Sequence, residues 1–265
     1  MQCALCKRDA KLQESHIIPK LVYTRIKTHK NSRFRSLDNI NVILQNGEKR
    51  PMLCHECEER FSFYEKKFAD KFIDKYLDEH NIPNFTGTWL DNYILSVAWR
   101  ILWDDLYRLD SFKDSFVRNL FEDFCDELGE YLLSPKFMNE GQLDNRFVNH
   151  IYAFNDLIKG NNFINLADSV LFGYSFFFIK SKTVSVIVYY AGLFFVTNYI
   201  YDKEKYIFIG DKPLVIKKLI QKIELKEEAC SQFQNIVRQL DENVNPELQK
   251  KIRNYYEKNT DTLEG

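Results

Sequence analysis

Apolar residues recur along this chain at two periods, and the change from one to the other predicts where helices give way to strands. The segment CHECEERFSFYEKKFADKFIDKYLDEH, from Cys54 to His80, follows the helical period. At about 100° per residue, Tyr64, Phe68, Phe72 and Tyr76 all fall within about 60° of Phe61. Glu56, Glu59, Asp70, Asp74 and Asp78 fall on the far side, which predicts an amphipathic helix with an aromatic inner face. WLDNYILSVAWRILWDDLYRL and SFKDSFVRNLFEDFCDELGEYLL repeat that period and predict an antiparallel helix pair, with Asp110-Ser111 starting the second helix. From about Phe147 to Ile209 the apolar residues gather in short β-branched and aromatic runs separated by KGNN, KSK and YDKEK, the pattern of an antiparallel sheet of four to six strands. Polar helical segments around Glu227–Leu240 and Pro246–Lys258 close the chain, the second started by Asn245-Pro246.

The expected class is therefore α+β: a small N-terminal unit followed by a larger domain of helices packed on an antiparallel sheet. NIPNFTG, from Asn81 to Gly87, carries the proline and glycine of a linker. It divides the chain into a unit at 1–80, a link at 81–88 and an α+β domain at 89–265 suited to regulation, partner binding or oligomerisation. The aromatic load of that domain reads as core rather than a base-stacking platform. Thr183 to Tyr201 holds 19 uncharged residues, about the length that spans a bilayer. Its Ala191-Gly192 midpoint and its β-branched and aromatic flanks predict a hairpin instead, so no membrane association is expected. The polar start MQCALCKRDAK lacks the apolar core of a secretion signal, and the expected location is cytoplasmic.

Charge is divided unevenly. Residues 1 to 80 carry 16 Lys and Arg against 12 Asp and Glu, whereas the net charge of the whole chain is -1. The excess gathers at Lys20, Arg25, Lys27, Lys30, Arg33, Arg35, Lys49 and Arg50, which meet only Asp38 and Glu48. A nucleic-acid backbone is the polyanion such a run suits, contacted through Lys20, Arg25, Lys27, Lys30, Arg33 and Arg35; a solvated loop is the plain alternative.

Four of the six cysteines form two C-x2-C pairs, Cys3/Cys6 and Cys54/Cys57, separated by 47 residues, and Cys125 and Cys230 stand alone. Two intervening residues let a tight turn aim both sulfurs at one point, so the pairs predict a tetrahedral zinc held by Cys3, Cys6, Cys54 and Cys57. Four thiolates leave no open position, which makes the zinc structural. It would pin the start of the long helix against the Cys3–Cys6 turn and hold His16, in ESHIIPK, against that helix. Glu58 and Glu65 lie about 60° and 40° from Phe61 on the wheel, on the aromatic side, where a carboxylate needs a partner. The candidates are the His16 ring, a divalent ion, or a basic residue such as Arg25 or Lys20.

The paired knuckles, the histidine followed by IIP after the first pair and the polar residue directly after the last cysteine together resemble the HNH (ββα-metal) endonucleases built on a treble-clef zinc frame. The likeness covers about Cys3 to Glu65. It implies His16 as the general base that activates water, Glu58 as a helix-start ligand to one divalent ion, Mg or Mn, and a central asparagine at Asn46 or Asn41. Glu65, one turn further along the same face, joins the candidate set from the wheel and not from the family pattern. Ser15 stands where the family carries a metal-binding residue, and Glu58 where it carries histidine or asparagine. The implied activity is cleavage of DNA in preference to RNA. Such nucleases with an attached second domain serve as phage-defence effectors or toxins. The other class of reading is a zinc-framed module that binds nucleic acid or protein without turnover.

Overall fold

The computed structural model describes residues 1–30, 47–79, 81–84, 86–108, 115–140, 143–153, 171–178 and 183–201. The chain is a mixture of helices and two antiparallel sheets. The first sheet is a hairpin of β1 (Leu12–His16) and β2 (Lys49–Cys54), with helix α1 (Lys20–Lys30) inserted between its strands. The register shifts between Gln13 and Glu14: Gln13 pairs with Leu53, Glu14 with Pro51, and Met52 is bulged out. Pro51, which has no N–H to give a ladder, sits beside this irregularity. The bulge has a use: the Met52 carbonyl accepts the Ala4 N–H at 2.9 Å, tying the N-terminal turn to β2. Gly47 leads into β2 at φ +71, and any side chain there would run into the Tyr23 ring of α1.

β2 runs directly into α2 (His55–Phe68), then a wide π turn (Ala69–Ile73), then α3 (Asp74–Glu79). Phe61, Tyr64, Phe68, Phe72 and Tyr76 are all buried, as the wheel expects, and Glu56, Glu59, Asp70 and Asp78 are exposed. Asp74 is half-buried because it receives Arg25 of α1 at 2.7 Å. A row of aromatics spaced by fours drifts around an ideal α-helix; one wider turn rotates the later residues back toward the core.

Helices α4 (Trp89–Arg108) and α5 (Ser115–Leu133) are the expected pair, followed by the short α6 (Pro135–Met138). Their four-stranded antiparallel sheet has the order β3-β6-β5-β4, from β3 (Phe147–Ala153), β4 (Phe172–Phe178), β5 (Thr183–Tyr190) and β6 (Leu193–Tyr199). The uncharged stretch is thus the β5–β6 hairpin. Ala191 and Gly192 make its turn with φ of 54° and 78°, the two positive values of the type I′ turn that matches strand twist. The two central strands are buried from Val184 to Tyr190 and from Leu193 to Tyr199, which explains a continuous apolar run where a half-exposed strand would alternate. No helix among the described residues is long and apolar enough to cross a membrane. The expected N-cap at Asp110-Ser111 and the helices at 227–240 and 246–258 lie outside the described residues.

The core crosses the 81–88 link without a break. Phe68 stacks on Tyr93 of α4 with ring centroids 3.8 Å apart and meets Tyr190 and Phe195 of the sheet edge-on. Phe61 packs against Trp99, and the Tyr64 hydroxyl and Asn92 Nδ2 both donate to the Phe137 carbonyl. The long helix therefore has its aromatic face covered by the second part of the chain. Because the burial is shared, urea unfolding followed by tryptophan fluorescence and by release of added zinc should give coincident transitions. Phe68→Ala should shift both together, by about 3–5 kcal/mol. Separate transitions would show two independent units.

A candidate metal centre beside a charged pocket

The chain's first residues form a tight loop in which Lys7 N–H bonds the Cys3 carbonyl and Cys3 N–H bonds the Arg8 carbonyl, both at 2.9 Å. Lys7 takes a positive φ of 59° to close it. This loop presents Cys3 and Cys6, while Cys54 caps α2 and Cys57 lies in its first turn. The four sulfurs lie within 4.8 Å of one another. Cys6 and Cys54 are 3.8 Å apart, matching the roughly 3.8 Å edge of a tetrahedron with ~2.3 Å metal–sulfur bonds. The four cysteines can therefore hold a metal ion such as zinc. Among the described residues no other cluster of three or more His, Cys, Asp or Glu side chains converges in this way.

The surroundings are built for thiolates. Cys54 N–H points at the Cys3 sulfur at 3.3 Å, and Arg8 Nε donates to Cys6 at 3.4 Å while also pairing with Glu56 of α2. Burial favours the Cys6 thiol, but the Arg8 hydrogen bond and its other donors outweigh it and bring the group down to about 6. Burial pushes the Cys3 and Cys57 thiols up, Cys57 further because of charge on Cys3. A bound divalent ion reverses that preference, since it favours the deprotonated form of every ligand.

Beside this cluster lies a pocket of about 350 Å³ lined by Gln13, Glu14, Ser15, His16, Pro19, Lys20, His55, Glu58, Glu65 and Arg100. Its walls come from the end of β1, the start of α1, one face of α2 and the middle of α4. His16, Glu58 and Glu65 thus face one space, and both glutamates are half-buried. Ser15 is 2% exposed and turned into the hairpin, where its hydroxyl accepts the Leu53 N–H at 3.3 Å beside the bulge.

The partner that the glutamates require is Arg100, not Arg25 or Lys20. Arg100 is 2% exposed; its Nη2 donates to Glu65 Oε1 at 2.7 Å and lies 3.7 Å from Glu58 Oε2, and its guanidinium rests 4.8 Å from the Phe61 ring centre. Arg100 Nε and Nη1, and Glu58 Oε1, are buried and meet no hydrogen-bond partner. One further ion pair binds the same helix to the hairpin: Arg50 Nε to Asp104, which is 1% exposed on its side chain, at 3.0 Å.

Of the basic residues expected at a nucleic-acid face, Lys20 is exposed on the pocket wall. Arg25 is taken by Asp74, and Lys27 is half-buried on α1. Lys30 ends α1. Arg33, Arg35, Asn41 and Asn46 lie outside the described residues. Arg100 escaped the sequence reading, although VAWRILWDD carried a signal: a charge inside an apolar helical run, four residues from an acid.

Cys57→Ser should lower bound zinc from about one equivalent per chain to a small fraction of that, measured by elemental analysis after dialysis. A strong chelator should destabilise the wild type and have little further effect on the variant. Compared with family models, curated proteins and solved structures, the chain matches none of them.

Proposed function

We propose that the N-terminal part is a hydrolytic nuclease centre of the HNH type on a treble-clef zinc frame, and that the α4–sheet layer regulates it or recruits its target. The observation that carries the reading is that His16 opens on the same pocket as Glu58 and Lys20, directly beside the four-cysteine cluster. The order of parts also supports it: a cysteine turn, a hairpin, and a helix whose first turn carries the second cysteine pair.

In this reading His16 is the proton acceptor, because an imidazole titrates near neutrality and can take a proton from water at physiological pH. The zinc would fix the hairpin and helix start that hold it. A divalent ion, Mg or Mn, belongs to the same reading, and the donor that fits it is Glu58 Oε1, a buried carboxylate oxygen with no hydrogen-bond partner. Such an ion is held by one or two carboxylates together with substrate phosphate, and it neutralises charge on the phosphate and leaving oxygen. Glu65 gives one oxygen, Oε1, to Arg100 at 2.7 Å, and in this reading its part is to fix that arginine. The substrate is DNA in preference to RNA, and a role as a phage-defence effector or toxin follows from the resemblance alone.

A second reading, a zinc-framed binding module without turnover, draws support from the Arg100 bond on Glu65 Oε1 and from the Ser15 hydroxyl being spent on the hairpin. Plasmid nicking with Mg or Mn separates the two. A nuclease predicts nicking by wild type and a loss of about 10²-fold or more in His16→Ala, with zinc content and circular dichroism unchanged. Equal nicking by both proteins, or none by either, removes the nuclease reading and leaves the binding module.

A further inference from the structure

The pocket contains a guanidinium whose N–H groups its ion pairs do not all use. Arg100 meets Glu65 and Glu58 through Nη2 alone, and its Nε and Nη1 are buried without an acceptor. The Phe61 face below the guanidinium balances charge but accepts no directed N–H bond in its plane. An N–H left buried in that state is unfavourable unless a ligand meets it. In the same pocket, α1 begins at Lys20 with no acidic residue in its first turn, and Pro19 and Lys20 both line the space. The opening amides of an 11-residue helix and the Lys20 ammonium make that wall positive.

We infer that Arg100, Lys20 and the N-terminus of α1 form a seat for one phosphate group of a nucleic-acid backbone. This rests on the phosphodiester reading of the pocket and adds its substrate contacts, one of them delivered by α4 from outside the zinc unit. A phosphate oxygen can meet one of the remaining Arg100 N–H groups, since Nε and Nη1 lie on different edges of the guanidinium and the Nη2 between them is held by Glu65, and its other oxygens serve the helix amides and Lys20. The looser ion pair of Arg100, 3.7 Å to Glu58, gives way as the phosphate enters, while the 2.7 Å bond to Glu65 keeps the side chain in place. His16 on the adjoining wall then faces the seated group.

The test uses the full zinc-loaded chain at low salt, without divalent ions other than the bound zinc. Inorganic phosphate is titrated calorimetrically, and a short single-stranded DNA is then used to displace it. Wild type should bind phosphate saturably and lose it to the oligonucleotide. Arg100→Lys, which keeps the charge beside Glu65 but loses the Nε and Nη1 donors, should weaken phosphate binding about tenfold, and Lys20→Gln about fivefold. Lys66→Gln, on the exposed side of α2, should match wild type. If Arg100→Lys does not fold, Lys20→Gln decides: weakened binding supports the seat and unchanged binding overturns it. No phosphate binding by wild type, or an oligonucleotide that fails to displace it, also overturns the seat. Phosphate binding without nicking would sink the nuclease reading and leave the seat standing, whereas nicking with no phosphate binding would do the reverse.

Discussion

Four sulfurs gathered within 4.8 Å set the terms for everything around them. Buried thiolates repel one another, and burial drives Cys3 and Cys57 toward the neutral thiol, so without an ion the cluster has little reason to stay closed. A tetrahedral divalent ion turns the same closeness into a clamp. Such a clamp would join the N-terminal loop to the first turn of α2 and close the chain between Cys6 and Cys54 into a loop. The orientation of β1 relative to α2 follows, and with it the placement of His16 and Glu58 in the lining of one pocket.

Local pattern made much of this legible. Aromatic spacing in Cys54–His80 places the buried face correctly, because a helix buries what lies on one side regardless of which partner covers it. The β5–β6 hairpin is readable from Ala191-Gly192, since a type I′ turn needs two residues at positive φ and β-branched flanks. C-x2-C pairs announce their common target for a similarly local reason. Glu58 and Glu65 are also recognisable as carboxylates in need of a partner.

The identity of that partner is not local. Arg100 lies 35 positions from Glu65, beyond a proline-bearing link that composition marks as a domain boundary. The link is a linker by composition, yet the core runs past it, because Phe61 and Phe68 find their cover on α4 and the sheet. Periodicity says that a face is buried and nothing of what buries it. Ser15 illustrates the same limit: family resemblance marks it as a gap in a metal site, whereas its hydroxyl stitches a bulge visible only once the hairpin register is known.

Helix α4 accounts for these non-local features together. Its buried Arg100, Asp104 and Asp105 reach three different elements: the glutamates of α2, Arg50 of β2, and the Ser175 N–H of β4 at 2.7 Å. Apolar packing alone tolerates sliding of a helix along its neighbours, but a buried charge left without its counter-ion costs several kcal/mol, on the order of 3–5. Two ion pairs one turn apart, with the Asp105 bond next to the second, therefore fix the helix in one register against the cysteine-bearing unit and the sheet at once. The contact at Ser175 also occupies an N–H of β4, a strand at the edge of its sheet. A rotation or slide of α4 would pull Arg100 from the pocket and Asp104 from the hairpin in the same movement, so the pocket's charge and the shape of its wall are coupled to whatever acts on the larger layer. In the proposed reading that coupling would give the attached layer a physical route to the pocket, one that a cysteine-bearing unit joined only through a flexible tether would lack.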